Sequence, residues 1–159
     1  MVIKYMIMDR SYKYNYALNS LNRARNLQSQ VSQLELDISL KQLSRQSSFN
    51  EITDTANLYY LQRVKDNLIS ERDALISNAI VATAEILMDE IEHQVAGYLS
   101  LGRMMIDSLL SFISIYNIKV QTSAVARTQL IQLSLKLILP GIAYMDLPAK
   151  IERLNKLLY

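Results

Sequence analysis

The chain has 159 residues, half of them apolar and one-fifth charged, with 3 Gly, 2 Pro and no Cys. The apolar share excludes an intrinsically disordered chain, and the missing cysteines exclude a disulfide scaffold and a thiol-ligated metal site. A formal net charge of +2 conceals basic ends around an acidic middle: residues 1–34 carry five basic side chains against one acid, residues 35–100 five against eleven, and residues 101–159 seven against three. Such asymmetry suits a polyanionic partner or head-to-tail contacts between subunits.

All five Gly and Pro residues lie at Gly97 or later. Strand-rich folds need such punctuation to turn, so the expected class is all-α: one domain of long helices in an elongated protomer, with an extended basic N-terminal arm. The opening Met1-Val2-Ile3-Lys4-Tyr5-Met6-Ile7-Met8-Asp9 has too short an apolar run for a secretory signal and no small-residue cleavage site.

Residues 1–16 read as the arm. Ser11-Tyr12-Lys13-Tyr14-Asn15-Tyr16 alternates with period two, which in an extended backbone places three tyrosines on one side. From Ala17 the period becomes helical: Ala17, Leu21, Ala24, Leu27, Val31, Leu34 and Ile38 step by four and three, predicting an amphipathic helix over 17–47. Its back is rich in Asn, Gln, Ser and Arg, which fits either a plain bundle helix with solvated arginines or one that offers Arg23, Arg25, Lys41 and Arg45 to a partner.

Ser48-Phe49-Asn50-Glu51 fits a capping box, predicting a central helix over 48–96. One apolar row runs through Leu61, Val64, Leu68, Leu75, Ala79, Ala82 and Ile86, and a second through Ile69, Ile76, Ile80, Leu87, Ile91, Val95 and Tyr98. Unbroken to Lys119, this helix would be about 100 Å long, far beyond the radius of gyration of about 15 Å for a compact domain of this size. A bend is therefore expected around Gly97–Gly102, with a second candidate at Ser70–Asp73, unless an elongated protomer buries these faces against neighbours.

Apolar helices follow over 97–139. The run from Tyr98 to Ile118 holds Arg103 and Asp107, so it reads as a buried or interface helix instead of a membrane span. Thr122 or Ser123 should cap the next helix, which stops at Pro140-Gly141. A short C-terminal helix over 147–158 has Pro148 in its first turn, with Leu147, Ile151, Leu154 and Leu158 on one face.

Catalysis lacks its parts: there is no Cys nucleophile and no Gly-rich phosphate loop, and His93 is the only imidazole. The chain therefore reads as a non-enzyme without cofactor. Glu90-Ile91-Glu92-His93 contains the Glu-x-x-His spacing of helical di-metal sites but has no second His to complete one, so no metal is expected. Glu85, Asp89 and Glu92 line up instead as a solvated or partner-facing acidic stripe.

What remains is the basic, tyrosine-rich front. Lys and Arg neutralise phosphates, while Tyr hydroxyls hydrogen-bond phosphate and sugar without reading bases. On that chemistry Lys4, Arg10, Tyr12, Lys13, Tyr14, Tyr16, Arg23 and Arg25 form a candidate sequence-independent nucleic-acid site. Equally, the tyrosines suit a docking arm that buries against another subunit. Low charge beside high apolar content argues for association in either case.

The basic aromatic arm within residues 4–25, the breaker-free helices to Gly97, the apolar helices beyond and the absence of Cys together resemble the coat proteins of filamentous and rod-shaped archaeal viruses. That resemblance implies a structural protein whose copies pack into a helical virion around double-stranded DNA, assembled in the host cytoplasm, with other coat subunits as partners. The abundant Ser, Asn and Gln depart from the charged surfaces of hyperthermophile proteins. The alternative is a helical oligomeric adaptor or scaffold, cytoplasmic and without nucleic acid. A third reading attaches the basic C-terminal helix to an anionic membrane.

Overall fold

The computed structural model of the chain describes residues 2–45, 51–137 and 146–159, with side chains placed at 10–43, 55–137 and 146–159. These residues are all-helical: α1 (Val2–Arg45), α2 (Glu51–Glu92), a 3-10 turn (Gly97–Leu99), α3 (Leu101–Tyr116), α4 (Ala124–Lys136) and α5 (Leu147–Leu157). At 1.5 Å per residue, α1 and α2 are each more than about 60 Å long. The expected Ser48 cap and the stop at Pro140-Gly141 lie outside the described residues.

The seam of α1 is buried where its spacing places it, at Ala17, Leu21, Ala24, Val31 and Ile38, with Leu27 and Leu34 half-buried. It packs antiparallel on α2, and Arg10 beside Glu90 and Gln28 beside Arg72 fix the register. The two rows of α2 are buried from Leu75 to Leu87, whereas Leu61, Val64, Leu68 and Ile69 are only half-covered and Tyr98 is 86% exposed. The reason is the reach of the other helices: α3 packs on both α1 and α2, α4 on α2, and α5 on α3 and α4. Together they build the head, around Ile76, Ile80, Leu87, Met105, Leu109, Phe112, Leu130, Leu133, Ile151 and Leu154.

Two sequence expectations are corrected. Residues 2–16 are not an extended arm but the first turns of α1, which runs through Ala17 without a break. The helix is held there by partners remote in sequence, described below. Ser70–Asp73 is no bend either, because α2 passes through it unbroken.

The chain does reverse near Gly97–Gly102. Gln94 adopts φ 51°, the 3-10 turn follows, and the Ser100 hydroxyl caps α3 by accepting from the Arg103 amide at 3.0 Å. Asn117 at φ 48° ends α3 in a left-handed cap. Ser123 caps α4 by accepting from the Ala126 amide at 3.2 Å. In α5, Leu147, Ile151 and Leu154 are buried on one face as their spacing predicts, and Leu158, just past its end, is buried with them.

The head closes at its distal edge on the Arg72 guanidinium. Arg72 donates to Gln28 Oε1 at 2.6 Å, to the Lys119 carbonyl at 3.2 Å and to Asp73 Oδ1 at 3.0 Å. Asp73 in turn accepts from the Gln121 amide at 3.1 Å, so the 119–121 segment is stitched to α2 and, through Arg72, linked to Gln28 of α1. The chain end is tied to the same segment, with Tyr159 donating to the Val120 carbonyl and accepting from the Thr122 amide. Past this latch, residues 29–45 and 51–71 continue as a two-helix hairpin for about 25 Å.

Candidate functional site

Helical instead of extended backbone redistributes the tyrosines. Residues four apart share a helix face and residues two apart do not. Tyr12 and Tyr16 therefore lie together and exposed, while Tyr14 turns inward and packs against the core. Tyr12, Lys13 and Tyr16 line an open groove of about 640 Å³, whose other wall is Asn78, Val81, Ala82 and Glu85 of α2 and whose end is Ser123 and Val125 at the start of α4.

The predicted cations separate. Arg10 is nine-tenths buried, and its guanidinium lies 3.2 Å from Glu90 Oε2, which leaves it unavailable to a surface phosphate. Lys13 faces Glu85 across the groove at 3.7 Å. Arg25 donates to Asn22 Oδ1 at 2.9 Å and stands 6.0 Å from the Phe112 ring centre, on the α3 side of α1. Arg23 is exposed and, by helical spacing, shares the Tyr12 and Tyr16 side. The side chain of Lys4 lies outside those described. The eight residues thus occupy at least three environments, not one cationic surface.

Glu90 ties α1, α2 and the start of α3 together inside the head. Its Oε1 accepts from the Gly102 amide at 2.7 Å, its Oε2 from Arg10, and Ser100 bonds the same carboxyl. Burial pushes the Glu90 carboxyl above the usual glutamate range, against the opposing pull of those hydrogen bonds and of Arg10. Gly102 is needed at this crossing: a Cβ there would sit 2.4 Å from Leu87 Cγ and 2.9 Å from Glu90 Oε1. Sequence spacing offered Glu90 as a metal ligand with His93, but the helix turns it into the core instead.

Asp89, Glu92 and His93 do converge, with ligand atoms all within 4.8 Å of one another. His93 Nδ1 lies 2.8 Å from the Asp89 carbonyl and 3.3 Å from its carboxylate. Of the expected acidic stripe, Glu85 meets Lys13 and Asp89 meets His93.

Arg103 and Asp107 both bond across to the start of α5, Arg103 to Asp146 and Asp107 to Lys150 at 2.6 Å. Desolvation works against the Asp146 charge, but Lys150 and Arg103 outweigh it and hold that carboxyl below the usual aspartate range. Asp107, helped by Asp146, raises Lys150 against a smaller desolvation cost. These pairs hold the start of α5 against α3, and its apolar face of Leu147, Ile151 and Leu154 is buried in the head. Among the described residues no helix is long and apolar enough to cross one.

One exposed apolar surface lies past the Arg72 latch; the head has others, at Ile115 of α3 and at Ile131 and Leu135 of α4. Leu36, Leu40 and Leu43 are 53%, 55% and 65% exposed, and steps of four and three put them on one stripe along the back of α1. The register of the long helices brings Tyr60 of α2 level with Leu40, and both Tyr59 and Tyr60 are about two-thirds exposed. Sequence reading missed this stripe because the stronger row through Val31, Leu34 and Ile38 claimed the same helix, although the spacing of the three leucines was visible. No protein-family model matches the chain, nor does any curated protein or solved structure.

Proposed function

We propose that this protein is a self-assembling helical structural subunit and not an enzyme, whose copies associate through apolar surface on its long helices. The observation that carries the reading is the exposed Leu36, Leu40 and Leu43 stripe on a hairpin that extends beyond its own core. Apolar side chains aligned on one helix face, with no described helix of the same chain against them, are the kind of surface that marks a contact. Tyr12, Tyr16 and Val125 offer a second apolar area at the groove, supporting the docking reading of the tyrosines.

Packaging of nucleic acid inside a coat is the more specific form of this proposal. Its phosphate contacts fall to Arg23, Lys13, Tyr12 and Tyr16 on the groove side, since Glu90 engages Arg10 and Tyr14 packs inward. The geometry therefore favours protein contacts as the primary activity, with nucleic acid secondary.

Sedimentation velocity over a hundredfold range of protein concentration, with and without double-stranded DNA of arbitrary sequence, tests both. Concentration-dependent assembly without DNA is the expected result. Assembly only with DNA, abolished by salt, would move the reading to obligatory packaging. A monomer under every condition overturns both.

A further inference from the structure

We propose that Asp89, Glu92 and His93, at the end of α2, form a site for one divalent transition-metal ion of the Zn²⁺ type. The site is separate from the apolar surfaces and does not depend on self-assembly.

The donor set carries it. A carboxylate oxygen of Asp89, one of Glu92 and a ring nitrogen of His93 all lie within 4.8 Å of one another. Ligand atoms held about 2.0–2.2 Å from one Zn²⁺ are roughly 3–4 Å apart, so side-chain shifts of about 1 Å complete the triad. Sequence spacing pairs His93 with Glu90, but Glu90 is buried on the Gly102 amide and Arg10. Steps of three and four from Asp89 place Glu92 and His93 beside it on one face instead. An imidazole with two carboxylates suits a borderline ion such as Zn²⁺, whereas Mg²⁺ and Ca²⁺ favour oxygen ligands throughout.

Charge around the triad is an independent argument for a cation. Glu85 meets Lys13 and Glu90 meets Arg10, whereas Asp89 has the ring of His93 at 3.3 Å and Glu92 has no ion pair among the described residues. The C-terminal end of a helix carries partial negative charge and favours basic side chains, yet the last turn of α2 has none. With His93 neutral, two carboxylates therefore add to the negative end of a 42-residue helix. One divalent ion neutralises both, and three protein ligands leave its remaining positions to water.

The sequence makes the test clean, because it has no Cys and His93 is its only imidazole. Titration calorimetry of the full chain with Zn²⁺ should show one ion bound per chain, and the His93 ring resonances should shift with the same saturation. His93→Ala, Asp89→Asn and Glu92→Gln should each weaken Zn²⁺ binding about tenfold or more, since loss even of a group that only orients a ligand costs about that much. None of the three side chains lies in the core, so circular dichroism of the variants should match wild type. No Zn²⁺ binding would overturn the proposal. Binding lost with His93→Ala but kept in both carboxylate variants would overturn it in favour of a lone surface imidazole. Displacement of Zn²⁺ by an equal concentration of Mg²⁺ would overturn it in favour of a general acidic surface.

Discussion

The head and the distal hairpin are built from the same two helices, yet they are stabilised differently. In the head, α1 and α2 are covered by α3, α4 and α5, and the polar groups that go inside are matched: Arg10 with Glu90, Glu90 with the Gly102 amide, Arg72 with Gln28 and Lys119. Past the latch, among the described residues, the same helices pack only on each other, and Leu43 and Tyr60 meet solvent there as Ile115, Ile131 and Leu135 do on the outer surface of the head. A helix pair alone is marginal in water, since most helical stability comes from packing. The long helices are thus anchored in a core at one end and, among the described residues, covered only by each other at the other.

The comparison breaks most readily at Phe112, which is 1% exposed in the middle of the head. Phe112→Ala should cost about 3–5 kcal/mol in urea denaturation, through lost transfer energy and the cavity left behind. Arg10→Met should cost a similar amount, about 3–5 kcal/mol near neutral pH, because it strands an ionised Glu90 in the core. The pH dependence has a definite sign. With its carboxyl held above the ordinary value near 4.5, Glu90 contributes its full stability below that value and loses it as pH rises through the raised one. Arg10 limits the loss, so the Arg10→Met penalty should grow from acid toward neutral pH, measured as the difference between the two denaturation profiles. A penalty equal at all pH would mean that the pair is not the reason Arg10 is buried.

Smaller effects sharpen the same contrast. Gly102→Ala should cost about 1–3 kcal/mol by overpacking Leu87 and displacing Glu90. Gln94→Gly should instead stabilise the chain by about 0.5–1 kcal/mol, because a glutamine at φ 51° is strained and glycine is not. Leu36→Ala should lie within about 0.5 kcal/mol of wild type in dilute denaturation, while weakening assembly at high concentration. A large loss in dilute solution would show that the stripe is covered within the chain.

The all-helical class was legible from breaker placement, and so were the α1 seam from Ala17 to Ile38, the inward face of α5, a cap for α4 at Thr122 or Ser123 and the reversal at Gly97–Gly102. Each of these is a local signal, a spacing or a cap carried by adjacent residues. The front end misled for the complementary reason. Period-two tyrosines read as an extended arm, but Arg10 is tied to Glu90 eighty residues away and Tyr14 packs on a core assembled from distant helices. No local pattern encodes such partners, and they separated the candidate basic residues into buried, paired and exposed sets. Gly102 is another such case: the sequence marks it as a breaker, and only the packed head shows that Leu87 and Glu90 leave no room for a side chain.

If copies associate as proposed through apolar surface on the long helices, the distal hairpin is where the contact falls. Amide hydrogen exchange at low and high protein concentration measures this most directly, because the opening energies of local segments are read separately. Amides of residues 29–43 and 55–71 should exchange early in dilute solution and become protected as concentration rises, while head amides such as those of Ile80 and Leu109 stay protected throughout. Uniform protection of head and hairpin at all concentrations, or concentration-dependent protection confined to the head, would contradict it.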